Sequence, residues 1–420
     1  MDSQGFELND VIRSRSNSAP RLIAHIGTSH AQFALECGQG MLGSLCTLKC
    51  SDYPNFAIAI DHYLARCNIS RLYHAVVAFA DTLDDGLRAA TDRKWTISLS
   101  FIKRRFHLET ILFVNDVVAE TMALPSIATD CLVPIGSGVA VGKRALGLIK
   151  IESQLNVGGL IPMENRWIPF KSEGGHVDIS PSDDREHFVR QFAKKYYAHV
   201  SADRLLSESG IELIYRALSH RAGMQLSDAD GECMGVKQII AETLAGTNRL
   251  CREVLDCYCG MLGTVASNFA VTMGAQGGIY LNGGIVALLT DYIVESSFRS
   301  RFESKGRFAK YLKAIPIFVI KAPNTVLVGA SALLNVHLSG SISIPILERV
   351  RAANGRFSRA EQKVANLVLN EPNAMRASIE HIAERANVSK STVIRFCRTA
   401  GYRGLAEFKF SLDSSSSVPS

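Results

Sequence analysis

The sequence predicts a two-lobed α/β protein followed by a small all-α module. Over about 310 residues, short apolar strands alternate with helix-patterned segments, and strand hairpins come ahead of helices. An apolar content of 47% in 420 residues is enough for a large core shared among two or three domains. Charge then separates the end of the chain from the rest. The last 80 residues hold 12 Lys and Arg against 7 Asp and Glu, whereas residues 1–340 hold 34 against 33. A basic excess confined to one module points to a nucleic-acid contact there.

Residues 1–20 are polar and lack an apolar signal core, so they read as a flexible tail. Strands are expected at 22–27 and 32–36, joined by a short turn around Thr28-Ser29-His30. Residues 55–67 carry helical spacing, with Phe56, Ile60 and Leu64 on one face. Further strands are expected at 72–80, 96–100 and 110–115. The last runs directly into a helix at 116–124 and delivers Asn115-Asp116 to a sheet edge, where open α/β folds bind ligands. Strands follow at 132–136, 146–151 and 158–162. Residues 184–216 and 238–273 read as long helical regions. The apolar strand inside 277–284 is bracketed by glycine pairs, and a strand at 317–320 precedes a helix at 329–338.

Ten scattered cysteines read as reduced, mostly buried thiols of a cytoplasmic protein. Cys257-Tyr258-Cys259 lies in a helical pattern with no paired Cys or His motif nearby, so no metal site is expected. No run of about 18 apolar residues occurs, so no membrane partner is expected.

The chemistry concentrates in Asn115-Asp116 and Glu173-Gly174-Gly175-His176. Carboxylates, an amide and an imidazole beside a glycine pair can hydrogen-bond several sugar hydroxyls, and one carboxylate can act as a base. Together with His199-Val200-Ser201-Ala202, the 277–284 strand and Phe302-Glu303-Ser304-Lys305-Gly306-Arg307-Phe308, these residues resemble bacterial glucokinase. The match covers about residues 21–340, with few gaps. The resemblance implies the actin/hexokinase-type kinase fold: a small lobe at about 21–115 plus the C-terminal helix, and a large lobe at about 116–320. Sugar and nucleotide would sit in the cleft between them.

Carried over by position, the resemblance implies Asp116 as catalytic base and Asn115, Asp116, Glu173 and His176 as sugar ligands. Asp203 stands where the family has a glutamate that contacts sugar; its shorter reach implies a lengthened or water-bridged contact. Gly27, Gly283 and Gly284 would lie on the nucleotide side.

The phosphate loops depart from the family. The first reads Asp-x-Gly-Gly-Thr-Asn-x-Arg there and His25-Ile26-Gly27-Thr28-Ser29-His30-Ala31-Gln32 here. The aspartate that helps hold Mg²⁺ through water is His25, and the second glycine is Thr28. The second loop, Gly-x-Gly-Thr-Gly-x-Gly in the family, falls without gaps on Lys150-Ile151-Glu152-Ser153-Gln154-Leu155-Asn156. Phosphate nests need exposed backbone N–H groups, which these side chains obstruct. An alternative alignment puts Gly136-Ser137-Gly138 in that loop, at the expense of a gap of about 15 residues.

The region 341–412 has its own logic. Ser358 and Glu361 form a capping-box pattern ahead of Val364, Leu367 and Val368. A short helix at 378–386 turns at Asn387-Val388, and Ser389 caps a second helix running to about Thr399. Lys390, Ser391, Thr392 and Arg395 fall near the end of that helix which would enter a groove, while Arg398, Arg403 and Lys409 suit phosphates. The stretch 379–409 resembles the DNA-binding domain of RpiR-type sugar-metabolism regulators. Such regulators normally continue into a sugar-phosphate-binding domain; here a Ser-rich tail at 413–420 reads as disordered.

Two functions are thus expected from the sequence. One is a glucose-responsive regulator that binds double-stranded DNA, as a homodimer on paired half-sites. The other is an active ATP-dependent glucokinase, with Mg-ATP as cofactor, that carries a DNA-binding domain.

Overall fold

The computed structural model describes residues 20–38, 40–79, 95, 97–163, 166–224, 234–339, 350, 357–371, 374–375, 377–400, 402, 404–405 and 408–409. The chain forms two compact units, Met1–Leu334 and Asn335–Ser420.

The first unit begins with β1 (Arg21–Ile26), β2 (His30–Glu36) and β3 (Leu42–Lys49), then α1 (Phe56–Arg66), β4 (His74–Phe79), α2 (Leu99–Arg105) and β5 (Thr110–Asn115). These strands form one sheet in the order β3-β2-β1-β4-β5. β1, β2 and β3 make an antiparallel meander, while β4 and β5 add parallel on the other side of β1.

The connecting helix α3 (Asp116–Ala123) leads to β6 (Leu132–Pro134), β7 (Leu146–Ile151), β8 (Leu155–Met163) and β9 (Arg166–Ser172). There follow α4 (Asp184–Ala193), α5 (Ala202–Leu206), α6 (Glu208–Arg221), α7 (Val236–Ala245), α8 (Arg249–Met273) and β10 (Gly278–Asn282). There follow α9 (Gly284–Leu288), α10 (Thr290–Glu295), α11 (Phe298–Glu303), α12 (Ala309–Ala314), β11 (Ile317–Ile320) and α13 (Thr325–Leu338), within which the unit ends, at Leu334. The second sheet, ordered β6-β11-β10-β7-β8-β9, repeats the first. β7, β8 and β9 are the meander, β10 and β11 the parallel pair, and β6 an added antiparallel edge. Each meander therefore opens with a tight turn: residues 27–29 between β1 and β2, and 152–154 between β7 and β8.

Several expectations are corrected. Residues 97–100 are not strand: Trp95 and Ile97 are buried in the small-lobe core, and the Ser98 hydroxyl accepts from Phe101 N (3.4 Å) to start α2. Thr96 lies outside the described residues. The region expected as one helix over 184–216 breaks after Ala193 and again at Ser207. The one expected over 238–273 breaks at Gly246, a left-handed C-cap with φ 70°. Strands β3 and β9, neither expected, are edge strands with weaker apolar alternation. The 25-residue α8 is long and apolar enough to meet the dimensions of a membrane span, yet it is largely buried in the large lobe, Cys257, Tyr258 and Cys259 included. Among the described residues the nine cysteines are free, and Cys233 lies outside them.

Two helices pass between the lobes, and a glycine brings them together. A Cβ on Gly329 of α13 would sit 1.7 Å from Ala119 O of α3. On the other side of α13, Ser331 Oγ donates to Glu36 Oε1 in β2 (2.9 Å). Gly329→Ala is expected to destabilise the protein by about 1–3 kcal/mol or more, because backbone on backbone cannot relax as a side chain can. Gly284→Ala, with open space around its Cβ, should be neutral or stabilise by about 0.4–1 kcal/mol. Thermal unfolding of the two variants checks the contrast.

Candidate functional site

Asn115 closes β5, paired with Phe79 of the parallel neighbour β4, and serves as N-cap of α3. Its Oδ1 accepts from Val117 N (3.0 Å) and Val118 N (3.4 Å), and its amide nitrogen is buried without a hydrogen-bond partner among the described residues. Asp116 is the first residue of the helix and is buried. Its Oδ1 accepts from Val117 N at 2.8 Å, and the helix N-terminus favours its negative charge.

The other oxygen of Asp116 is engaged by an ammonium. Lys150 Nζ donates to Asp116 Oδ2 at 2.7 Å and lies 3.6 Å from both Glu120 Oε2 and Glu152 Oε1. Burial alone would lower the pKa of this lysine, but Glu120, Asp116 and Glu152 outweigh it and raise the ammonium above its usual value. Lys150 is thus a fixed cation among three carboxylates. Glu120 stands four residues after Asp116 on α3, one helical turn along the same face. Its Oε1 accepts from Asn282 Nδ2 of β10 and from Thr325 Oγ1 of α13 (2.7 Å).

His25 completes this floor from β1. Its Nδ1 is 3.2 Å from Gln32 Oε1, and its Nε2 is 4.0 Å from Asp116 Oδ2. Burial, then Lys150, lower its pKa below the ordinary 6.5, so the imidazole is neutral at pH 7. An amide oxygen can only accept, so Nδ1 carries the proton and Nε2 is an acceptor without a partner among the described residues.

A cleft of about 430 Å³ lies between the two hairpin turns and reaches Asp116 and Gly27. The turn 152–154 is where the ungapped alignment placed the second phosphate loop. Gly136-Ser137-Gly138 follows β6 at the far edge of the sheet, which discards the alternative alignment. Gly283 and Gly284 do not line this cleft. Gly283 has φ 115°, and a Cβ there would meet Ile151 O at 1.9 Å. It packs β10 closely against β7, as glycine alone can.

The remaining sugar candidates meet at Leu155, the first residue of β8. Asp203 Oδ1 accepts from Leu155 N at 2.7 Å. A Cβ on Gly175 would lie 2.0 Å from Leu155 O, so the turn Gly174–His176 packs on the same residue. The shorter aspartate has thus become an anchor for β8. Glu173 is exposed, 2.8 Å from Lys171 Nζ and 3.8 Å from His176 Nε2. The Lys171 hydrogen bond holds its carboxyl below the usual range. Glu173, His176 and Asp203 do not line the cleft between the turns.

In the second unit, α14 (Arg359–Asn370), α15 (Ile379–Arg385) and α16 (Lys390–Thr399) enclose Val364, Val368, Ile382, Val393 and Phe396. The expected capping box is present: Glu361 N donates to Ser358 Oγ (3.3 Å) and Ser358 N to Glu361 Oε2 (2.8 Å). Ser389 caps α16 by accepting from Thr392 N (3.3 Å). Ser391, Arg395 and Arg398 are exposed within one narrow sector of that helix. Lys390 is exposed, paired with Glu380 at 2.7 Å. Thr392 corrects the expectation of a groove-facing residue. It is buried, with its hydroxyl 2.9 Å from Ser389 Oγ and accepting from Arg395 Nη2 (3.3 Å). Arg403 lies outside the described residues.

His25 makes stability depend on pH with a definite sign. The folded state holds the imidazole neutral and the unfolded chain takes a proton below about 6.5, so stability is lost as pH falls from 6.5 toward the lower folded value. Between pH 7.5 and 5.5 the melting temperature should fall more in the native protein than in His25→Gln. Differential scanning fluorimetry of both proteins tests this.

Comparisons with known proteins agree with this geometry. The glucokinase family profile matches residues 22–337, and that of the helix-turn-helix domain, rpiR family, matches 344–419. The bifunctional protein glk of Paraburkholderia xenovorans is 41% identical over 397 residues, 94% of this chain and 61% of that protein. The chain thus spans about three-fifths of the length of such relatives. A glucokinase of Neisseria meningitidis is 37% identical over 319 residues, 76% of this chain and 96% of its own. The crystal structure of a glucokinase from an Antarctic psychrotroph superposes with a TM-score of 0.70 at 26% identity, covering 76% of this chain and 99% of its own. A chain with this repeated-sheet fold, this ordered polar set and these matches belongs to the glucokinase family, and it carries an RpiR-type helix-turn-helix domain after its kinase domain.

Proposed function

We propose that this protein is a DNA-binding regulator that responds to glucose or a related hexose, with the kinase fold as its sensor. The observation that carries the reading is the Lys150 ammonium, buried at 2.7 Å from Asp116. A base must be free to take the proton of the attacking hydroxyl; here its outer oxygen is held by a permanent cation.

The family implies ATP with Mg²⁺. The donor side of this chain does not fit that group. Its two turns present Thr28, Ser29, Glu152, Ser153 and Gln154 where a phosphate cradle needs exposed backbone N–H groups. Asp116, Glu120 and Glu152 outnumber Lys150, and such a floor repels a triphosphate. No phosphoryl-transfer step is therefore assigned.

On the acceptor side, the Asn115 amide, without a partner among the described residues, is a donor available to a sugar hydroxyl. Asn115, Asp116, Glu173 and His176 are the proposed sugar ligands, and Asp203 supports them through Leu155. In the second unit, Ser391 and Arg395 would face bases, with Lys390 and Arg398 on phosphates. A homodimer would place two such helices on paired half-sites. The second reading, an active ATP-dependent glucokinase, rests on Asp116 standing at the helix start and on the 37% identical Neisseria glucokinase.

Calorimetry with glucose beside a coupled kinase assay separates the two. Glucose should bind without turnover, and Asn115→Ala should weaken it about tenfold, near the upper value of one lost hydrogen bond. Turnover above about 1 s⁻¹, within the ordinary enzyme range, would sink the sensor reading.

A further inference from the structure

The cleft between the two hairpin turns has lost the chemistry of a phosphate site and acquired another. Its lining supplies side-chain amides from Gln32, Gln154 and Asn156 and hydroxyls from Thr28, Ser29 and Ser153. These are neutral groups, most able both to donate and to accept. Beneath them one ammonium, Lys150, faces three carboxylates, Asp116, Glu120 and Glu152, and burial lowers the pKa of His25, so carboxylates outnumber cations in the floor. An anion is disfavoured there. A neutral ligand bearing many hydroxyls is the class that such a surface hydrogen-bonds without a charge penalty.

The floor also contains a position that asks for a donor. His25 Nε2 is an acceptor without a partner among the described residues and lies 4.0 Å from Asp116 Oδ2, another acceptor. Nε2 is itself buried, so a ligand hydroxyl in the cleft would donate to it only with a shift of the His25 ring. Asp116 is shared: it follows Asn115, the proposed sugar ligand, and it lines the cleft. The cleft's 430 Å³ falls within the range of small-molecule sites.

We propose that this cleft is a second carbohydrate subsite. The protein then takes a glucose-containing disaccharide, with one ring on the Asn115 side and the second between the turns, linked through the oxygen nearest Asp116. This rests on the sugar-sensor reading and specifies its ligand class. Asn156 and Gln154 hold the second ring; neither belongs to the proposed monosaccharide set.

The test is calorimetry on the full chain with glucose and with diglucosides linked 1→1, 1→4 and 1→6, repeated on Gln154→Ala and on Gln154→Ala/Asn156→Ala. One linkage should bind at least about tenfold tighter than glucose, a difference of about 1.4 kcal/mol. Both variants should reduce that advantage, and the double variant should abolish it with glucose affinity unchanged. If glucose binds and no diglucoside exceeds it, the second subsite is wrong while the sensor reading stands. A diglucoside advantage that survives both variants also overturns the proposal. If neither glucose nor any diglucoside binds, both readings fall.

Discussion

The contact between Lys150 and Asp116 governs how the rest of this molecule can be used. Lys150 stands on β7 of the large-lobe sheet, and Asp116 opens α3, which leads out of the small-lobe sheet. Glu120, one turn further along α3, carries the same network to Asn282 on β10 and Thr325 on α13. One buried ammonium thus ties a large-lobe strand to both helices that pass between the lobes. Removing one member of a buried charge set typically destabilises by about 3–5 kcal/mol, because it leaves uncompensated charge. A cluster of that kind is a fixed structural element, and in the proposed reading it engages the carboxylate that the family resemblance implies as the base.

The two-sheet repeat explains why loss on one side need not damage the other. The turns 27–29 and 152–154 open the two meanders, so both can exchange glycine for polar side chains without disturbing the strands behind them. The acceptor side depends on different supports. Asn115 is held by the start of α3, and Glu173, His176 and Asp203 are held through Leu155 by a backbone contact at Gly175 and a carboxylate–amide hydrogen bond. Gly283 shows the same economy: conserving its packing against Ile151 preserves the sheet whether or not a nucleotide is bound.

Much of this was legible in the sequence, for identifiable reasons. Strands such as β5, β7 and β11 are short apolar runs with clear borders, and both ends of the 110–115 strand were read correctly. The capping box at Ser358 and the cap at Ser389 are local, so their pattern is complete within four residues. Edge strands β3 and β9 were missed because half-exposed positions blur the period of two. The stretch 96–100 reads as strand, whereas the Ser98 cap starts α2 inside it. In the site, the substitutions His25, Lys150 and Glu152 were visible, but their meaning was not. Lys150 pairs with a residue 34 positions away, and no local pattern reveals such a partner. Glu120 has a local signal, four residues after Asp116 on one helix face. Thr392 was misplaced because its hydroxyl serves the helix cap and Arg395 rather than the exposed face.

In the proposed reading, a buried lysine and a polar cleft rich in carboxylates stand in place of the metal–triphosphate site of a kinase fold. Titration of the full-length chain with Mg²⁺ and a non-hydrolysable ATP analogue tests it most directly, with the glucose-saturated protein measured in parallel. The account predicts no saturable binding below about 1 mM, the upper end of ordinary substrate constants. Saturable binding in the micromolar range, with or without glucose, would contradict it.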